Sequence, residues 1–162
     1  NLNTRLQDRL DANGNRLAFG EGELRVGDKV MQTKNNYDKG IFNGDMGIIQ
    51  EIKTHSQELK VKFENVVDYD SNELGELTLA YAISTHRSQG SEFPVVILPL
   101  TTQHYVMLQR NLLYTAVTRA KELIVIVGTK KALSMAVKNN QVVQRLTTLK
   151  RRLSLELDSK ID

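Results

Sequence analysis

The chain has 162 residues, 40% of them hydrophobic, which suits one packed domain or a domain with a small insertion and excludes a disordered chain. It has no cysteine, so disulfides and thiolate metal sites are excluded and a reducing compartment, the cytoplasm, is favoured; His55, His86 and His104 lack the spacing of a metal pair. The net charge of +3 is uneven: residues 1–80 carry ten basic and fourteen acidic side chains, residues 81–162 twelve and five, so the second half suits either a polyanion such as nucleic acid or a solvated, lysine-rich helix surface.

Residues 1–11 read as a short helix, with Leu2, Leu6 and Leu10 four apart, and Asn13-Gly14 marks a turn. The texture then changes over residues 24–79. Val26, Val30 and Met31 lead into a loop, 33–44, rich in Asn, Lys and Gly. Stretches 46–52, 59–63 and 77–82 are short and β-branched or alternating, and predict a small antiparallel barrel or meander. After Tyr81 strand and helix alternate. Residues 94–100 and 122–128 are apolar runs expected to form strands buried on both faces; 109–121, 130–139 and 142–153 have a helical period; 158–162 should fray. This order predicts an α/β fold with a parallel sheet flanked by helices, preceded by a small β module. If the first helix belongs to the α/β core, the β module is an insertion. No apolar run approaches the ~20 residues that cross a bilayer, and the polar N-terminus carries no signal peptide.

Two polar clusters interrupt this pattern. Residues 80–93, Ala-Tyr-Ala-Ile-Ser-Thr-His-Arg-Ser-Gln-Gly-Ser-Glu-Phe, put a dense set of donors and one carboxylate between two apolar strands. Parallel sheets bind ligands at such strand ends, and Ser84, Thr85 and Ser88 can cap a helix whose N–H groups face an anion. An ordinary capped loop has the same composition. Residues 110–121, Arg-Asn-Leu-Leu-Tyr-Thr-Ala-Val-Thr-Arg-Ala-Lys, form a helix ending near Arg119, just before a strand. Arg119 there can complement the helix C-terminus, or present a forked cation to a phosphoryl group held by another domain. It is expected to point into solvent at the open end of the sheet, or to find a stand-in carboxylate or anion.

Taken together, Thr85-His86-Arg87-Ser88-Gln89-Gly90-Ser91-Glu92-Phe93 and, about two dozen residues on, Leu112-Leu113-Tyr114-Thr115-Ala116-Val117-Thr118-Arg119-Ala120-Lys121 resemble motifs V and VI of superfamily 1 DNA helicases, the RecD-type branch best. Residues 27–37 (Gly-Asp-Lys-Val-Met-Gln-Thr-Lys-Asn-Asn-Tyr) and 42–47 (Phe-Asn-Gly-Asp-Met-Gly) are similar to the opening of the SH3-like barrel inserted in the second, RecA-like motor domain of that family, and Leu2-Asn3 with Leu6-Gln7 to its lead-in. The resemblance spans roughly residues 1–130. It implies a RecA-like domain from residues 1–23 and 80–162, with the barrel at 24–79. It implies Arg119 as a trans-acting arginine finger, Glu92 at the nucleotide sugar, and Gln89 and Gly90 linking the nucleotide cleft to DNA. Thr85, His86 and Ser88 would touch the single-strand backbone, and Asn35 and Asn36, in the 33–44 loop, would lie near the DNA track. Asn35-Asn36 and Asn43-Gly44 are equally good turn formers.

The sequence contains no G-x-x-x-x-G-K-[ST] and no Walker-B-like acidic strand, so nothing in it cradles a triphosphate or holds Mg²⁺. On the family reading, ATP with Mg²⁺ is the cofactor of a longer enzyme whose N-terminal motor domain precedes Asn1, and these 162 residues alone are inactive. Single-stranded DNA and, for an exonuclease alpha subunit, further subunits are the expected partners; movement from 5′ to 3′ is implied by the resemblance alone. A non-catalytic module, an SH3-like barrel fused to an α/β domain that binds nucleic acid or protein, is the alternative. A small hydrolase is disfavoured by the lack of a G-x-S-x-G elbow.

Overall fold

The computed structural model describes residues 2–10, 15–20 and 22–140. The expected turn at Asn13-Gly14, the helix at 142–153 and the fraying end at 158–162 lie outside them. Two compact units are defined, residues 1–96 with 115–124, and residues 97–114 with 125–162.

Helix α1 (Leu2–Leu10) forms where Leu, Arg and Gln, all good helix formers, follow one another. Of its leucines only Leu6 is half-buried. Leu2 and Leu10 stay exposed, whereas Gln7 is 1% exposed. Gln7 Nε2 donates to Asp28 Oδ2 at 2.6 Å and to Glu23 O at 3.1 Å. Asn3 Nδ2 donates to Ala82 O at 2.9 Å, and Asn3 Oδ1 accepts from Ala82 N–H at 2.7 Å. The helix is therefore fixed by amide side chains, at one end to the segment after the β module and at the other to its beginning.

Strands β1 (Arg16–Phe19) and β2 (Gly22–Arg25) form an antiparallel hairpin. Then come β3 (Lys29–Gln32), β4 (Met46–Lys53), β5 (Glu58–Lys62), β6 (Val66–Tyr69) and β7 (Leu77–Leu79), in one antiparallel sheet of order β6-β5-β4-β3-β7. A register shift between Ile49 and Glu51 on β4 resets the alternation, which lets Ile49 and Ile52, three residues apart, both face inward. They meet Val30, Leu59, Val61, Leu77 and Tyr69, and the hairpin adds Leu17 and Leu24 to the same core. The predicted strands at 46–52 and 59–63 are thus present. The sequence reading missed β1, β2 and β6, each four residues long and carrying charged side chains, and took β3 for a lead-in.

The C-terminal elements are β8 (Phe93–Leu100), a 3₁₀ segment (Thr102–Met107), α2 (Arg110–Val117), β9 (Ala120–Gly128) and α3 (Lys130–Lys138), capped by Thr129 Oγ1 accepting from Ala132 N–H. β8 and β9 pair, and their direction follows from their ends. Phe93 N–H donates to Arg119 O at 2.8 Å where the strands begin. Where they finish, Gly128 lies so close to Leu100 that a Cβ would sit 1.9 Å from the Leu100 carbonyl oxygen. Starts lie beside starts and finishes beside finishes, so the pair is parallel, joined through α2.

One expectation fails here. Neither strand is buried on both faces: in β8 Val96, Leu98 and Leu100 are covered while Pro94, Val95 and Pro99 are exposed and Ile97 is 69% exposed, and most of β9 is exposed. Among the described residues the sheet has two strands. A small core of Leu100, Leu108, Ala132 and Ala136, with Leu98, Leu113 and Leu133, covers one side of β8's last residues. Continuous apolar sequence here marks a strand able to be covered twice, and the described chain covers it once.

Asp28 ties α1, β2 and the segment after β7 together: besides Gln7, it accepts from Arg25 N–H at 2.7 Å and Tyr81 OH at 2.9 Å. Asp28→Ala strands several buried donors and should destabilise the chain by about 3 kcal/mol in urea unfolding, with Tyr81→Phe costing about 1 kcal/mol. Equal, small effects of both would show that Asp28 does not hold this junction.

Candidate functional site

The first polar cluster forms a tight turn rather than a capped regular helix. Ser88 N–H donates to Ser84 O, Ser84 Oγ accepts from Arg87 N–H, and Ser88 Oγ donates to Thr85 O at 2.8 Å. Ser88 is buried and Thr85 half-buried, while His86, Arg87 and Gln89 are exposed. Gly90, at φ +85°, reverses the chain and delivers Ser91 and Glu92 to the start of β8. Side chains of Thr85, His86 and Gln89 thus lie on one short turn beside the beginning of the parallel strands.

The second cluster meets it there. Helix α2 ends at Val117, and Arg119 falls in the turn before β9. Arg119 does not point freely into solvent and takes no carboxylate among the described residues. Its Nε donates to Thr115 O at 3.3 Å, Nη1 to Ser91 O at 3.0 Å and Nη2 to Thr118 Oγ1 at 3.3 Å. The cause is local. Carbonyls in the last turn of a helix have no partner within it, and a cation there is favoured by the helix dipole. Glu92 forms a surface ion pair with Lys121 at 3.1 Å. So Gln89, Gly90, Glu92 and Arg119, distant in sequence, lie on two adjoining turns. The partners Ser91, Thr118 and Lys121 stand within the two motifs, but the sequence assigns Ser91 and Lys121 no role of their own.

Asn35 and Asn36 lie in the 33–44 loop. Asn36 pairs with Ile41 as an isolated antiparallel bridge, and its Oδ1 accepts from Lys39 N–H. Asn35 Oδ1 accepts from Asn43 N–H, and its Nδ2 donates to Tyr37 OH. Both amides shape the loop. Thr33 Oγ1 donates to Glu76 O and Lys39 Nζ contacts Glu73, fastening the loop to the sheet. Beneath it Tyr69 OH donates to Gln32 Oε1, Gln32 Nε2 donates to Glu76 Oε2, and burial pushes the Tyr69 phenol well above its usual pKa.

What these residues offer a nucleotide is one guanidinium held by neutral oxygens, one exposed carboxylate and two turns of backbone. The fit to an ATP phosphate and sugar is chemically sound. For Mg²⁺ the described residues provide no group of three His, Cys, Asp or Glu able to hold an ion.

The model of the SH3 domain of ATP-dependent RecD-like DNA helicases matches residues 2–63, and that of the UvrD-like helicase C-terminal domain matches residues 79–127. The chain is 39% identical over 151 residues to the ATP-dependent RecD2 DNA helicase of Deinococcus radiodurans, covering 93% of this chain and 21% of that protein. It is 31% identical over 128 residues to the RecBCD enzyme subunit RecD of Mycobacterium tuberculosis, covering 79% and 22%. The fold is similar to that of Pif1 helicase from Bacteroides, solved with ADP-AlF3 and single-stranded DNA, at a TM-score of 0.63 and 21% identity, over 96% of this chain and 43% of that one. Pif1 helicase from Candida albicans gives 0.56 and 14%, over 93% and 46%.

Fold and family matches define a parallel α/β segment of the UvrD-like helicase C-terminal type together with an SH3 domain of the RecD-like helicase kind. The chain spans about a fifth of the length of these curated relatives. It belongs to the RecD-like DNA helicase family. No helix among the described residues is long and apolar enough to cross a membrane.

Gly90 is the conformational pivot of the site. A Cβ there meets no atom within 4 Å, so the cost of a side chain comes from the left-handed backbone alone. Gly90→Ala should destabilise the chain by about 1–2 kcal/mol in urea unfolding, with Gly90→Asn recovering part. Full stability in Gly90→Ala would remove the pivot.

Proposed function

We propose that the chain is part of the C-terminal motor domain of a cytoplasmic, ATP-dependent DNA helicase that couples ATP hydrolysis to 5′-to-3′ movement on single-stranded DNA. The observation carrying this reading is the approach of two turns far apart in sequence, with Arg119 Nη1 3.0 Å from Ser91 O and Glu92 beside Lys121. On this reading, residues 1–23 and 80–162 build the RecA-like domain and 24–79 the inserted barrel. The paired hydrogen bonds of Asn3 with Ala82 support it, since they join the two segments that flank the insertion. Leu17 and Leu24, on the two strands of the β1-β2 hairpin, both pack in the core of the antiparallel sheet.

ATP with Mg²⁺ supplies the phosphoryl group transferred to water, held by the N-terminal motor domain of the same protein. Arg119 gives up its neutral acceptors and places a forked cation at the γ-phosphate, where charge spreads over several oxygens. Glu92 leaves its ion pair with Lys121 to accept from a sugar hydroxyl; an exposed pair is worth little, so the exchange is cheap. Gln89 and Gly90 carry the geometry of that cleft to the turn bearing Thr85, His86 and Ser88, which contact the DNA backbone. Asn35 and Asn36 contribute to the nucleic-acid surface by shaping the 33–44 loop. Two of the relatives named above are a RecD2 helicase and a RecBCD subunit; stand-alone action and assembly with exonuclease subunits are both open to this chain.

Two measurements test the reading. The 162-residue chain alone should hydrolyse no ATP above a mock-purified control, with or without DNA, and should bind single strands weakly, with affinity falling steeply as salt rises. DNA-stimulated turnover by this chain, or tight salt-resistant binding, contradicts it.

In the full-length parent, Arg119→Ala should cut ATP turnover by roughly a thousandfold or more, leave nucleotide-free single-strand binding nearly unchanged, and be poorly rescued by Lys. If Arg119 is only a helix cap, turnover stays near normal and the melting temperature falls modestly. Near-normal turnover in Arg119→Ala ends the arginine-finger assignment.

A further inference from the structure

We infer that Tyr37 and Phe42 form a base-stacking platform for single-stranded nucleic acid, presented by the 33–44 loop; this rests on the DNA-binding reading above and adds a contact to it. Tyr37 is 77% exposed and Phe42 47%, and their rings meet edge to face, centroids 5.9 Å apart and planes at 78°. The other aromatic side chains of this unit's sheet behave differently: Tyr69 is buried and Phe63 packs on the core. Two exposed rings cost solvation free energy, so their presentation calls for an explanation.

Their exposure is built in. The loop is closed by the Asn36–Ile41 bridge, with Ile41 buried beneath it. Phe42 N–H donates to Asp45 Oδ2 at 2.8 Å, Asn43 N–H to Asn35 Oδ1 at 2.9 Å, and Asn35 Nδ2 to Tyr37 OH at 3.2 Å. Lys39 anchors the middle of the loop to Glu73 and to Asp68 O. A segment shaped before it binds loses less conformational freedom on binding, which is the usual design of a recognition surface.

The size and charge of the patch select the ligand. Ile41 is buried, so Tyr37 and Phe42 are the large apolar groups the loop exposes, flanked by the amides of Asn35 and Asn43. That suits one or two bases; a stable protein interface buries roughly 800 Å² on each partner. Every base offers a π-face, and aromatic side chains stack on it without regard to sequence. Exposed Lys34 sits near enough in sequence to meet a phosphate, while Asp38 and Asp45 balance Lys34 and Lys39 across the loop. The contribution of the pair is therefore stacking, and should resist salt where phosphate contacts do not.

The test uses this chain with two fluorescent probes, a short oligothymidylate and a strand of the same length made of abasic sugar-phosphate. Tyr37→Ala and Phe42→Ala should each weaken thymidylate binding roughly tenfold, leave abasic-strand binding unchanged, and show the same fold-loss at low and raised salt. Tyr37→Trp should retain thymidylate binding. Both side chains are at the surface, so melting temperatures should stay at the wild-type value. Wild-type-like thymidylate binding in both Ala variants, or an equal loss on both probes, overturns the inference and leaves the helicase reading standing. A loss that tracks a lowered melting temperature in every variant, Tyr37→Trp included, overturns it too. Self-association of the wild-type chain that vanishes in Tyr37→Ala, with DNA binding intact, would assign the pair to contact between copies instead. A wild-type chain that binds neither probe sinks the DNA-binding reading itself.

Discussion

The carboxylate of Asp28 is the constraint on which the described N-terminal half depends. Moving a carboxylate out of water is expensive unless its oxygens are satisfied by donors. Here Gln7, the Arg25 N–H and Tyr81 converge on it from three parts of the chain: α1, the end of β2, and the segment that follows β7. Since an unmatched buried carboxylate is so costly, the three parts must arrive together. Asn3 then clamps Ala82, two residues before the polar turn begins. The β-barrel and the turn at residues 84–90 are thus fixed to one helix by polar contacts with strict geometry. A purely apolar joint would permit sliding; this one sets the register.

The apolar periods made part of this fold legible and misled about the rest. β4, β5, β8, β9, α2 and α3 follow runs long enough for a period to be counted. The hairpin β1-β2 and strand β6 are four residues long and carry Arg16, Glu23, Arg25 and Asp68, so their period is too short to read. In α1 the leucines advertised an apolar stripe, yet tertiary hydrogen bonding selected the face with Gln7 and Asn3. Sequence periodicity reports which face could be buried; which one is buried depends on partners that are far away in the chain.

The candidate site divides in the same way. Its members were visible because Thr, His, Ser, Gln, Glu and Arg crowd two short stretches beside apolar strands. Their pairing was not, because contacts such as Arg119 with Ser91 and Glu92 with Lys121 exist only once β8 and β9 lie parallel with their starts adjacent. The 33–44 loop gives a second lesson. Asn35 and Asn36 read equally well as ligand groups or turn formers, and their hydrogen bonds commit them to the turn. The side chains that the turn leaves exposed are the aromatic ones.

Capping and catalysis by Arg119 are often set against each other, but the geometry lets one prepare the other. All three acceptors are neutral oxygens, and a typical net gain from such a hydrogen bond is only about 1 kcal/mol. A carboxylate partner would hold the guanidinium more strongly and compete with a phosphate for it. Neutral acceptors fix the direction of the side chain, keep its charge uncompensated among the described residues, and can be exchanged for a more highly charged oxygen at small cost. Two of the three, Thr115 O in the last turn of α2 and Thr118 Oγ1 in the turn that follows, lie within four residues of Arg119 itself. The third, Ser91 O, lies on the turn that Gly90 creates. A shift at the 84–92 turn would therefore change how firmly Arg119 is parked. Under the proposed role, that gives the segment assigned to DNA a direct mechanical link to the residue assigned to ATP, one hydrogen bond long.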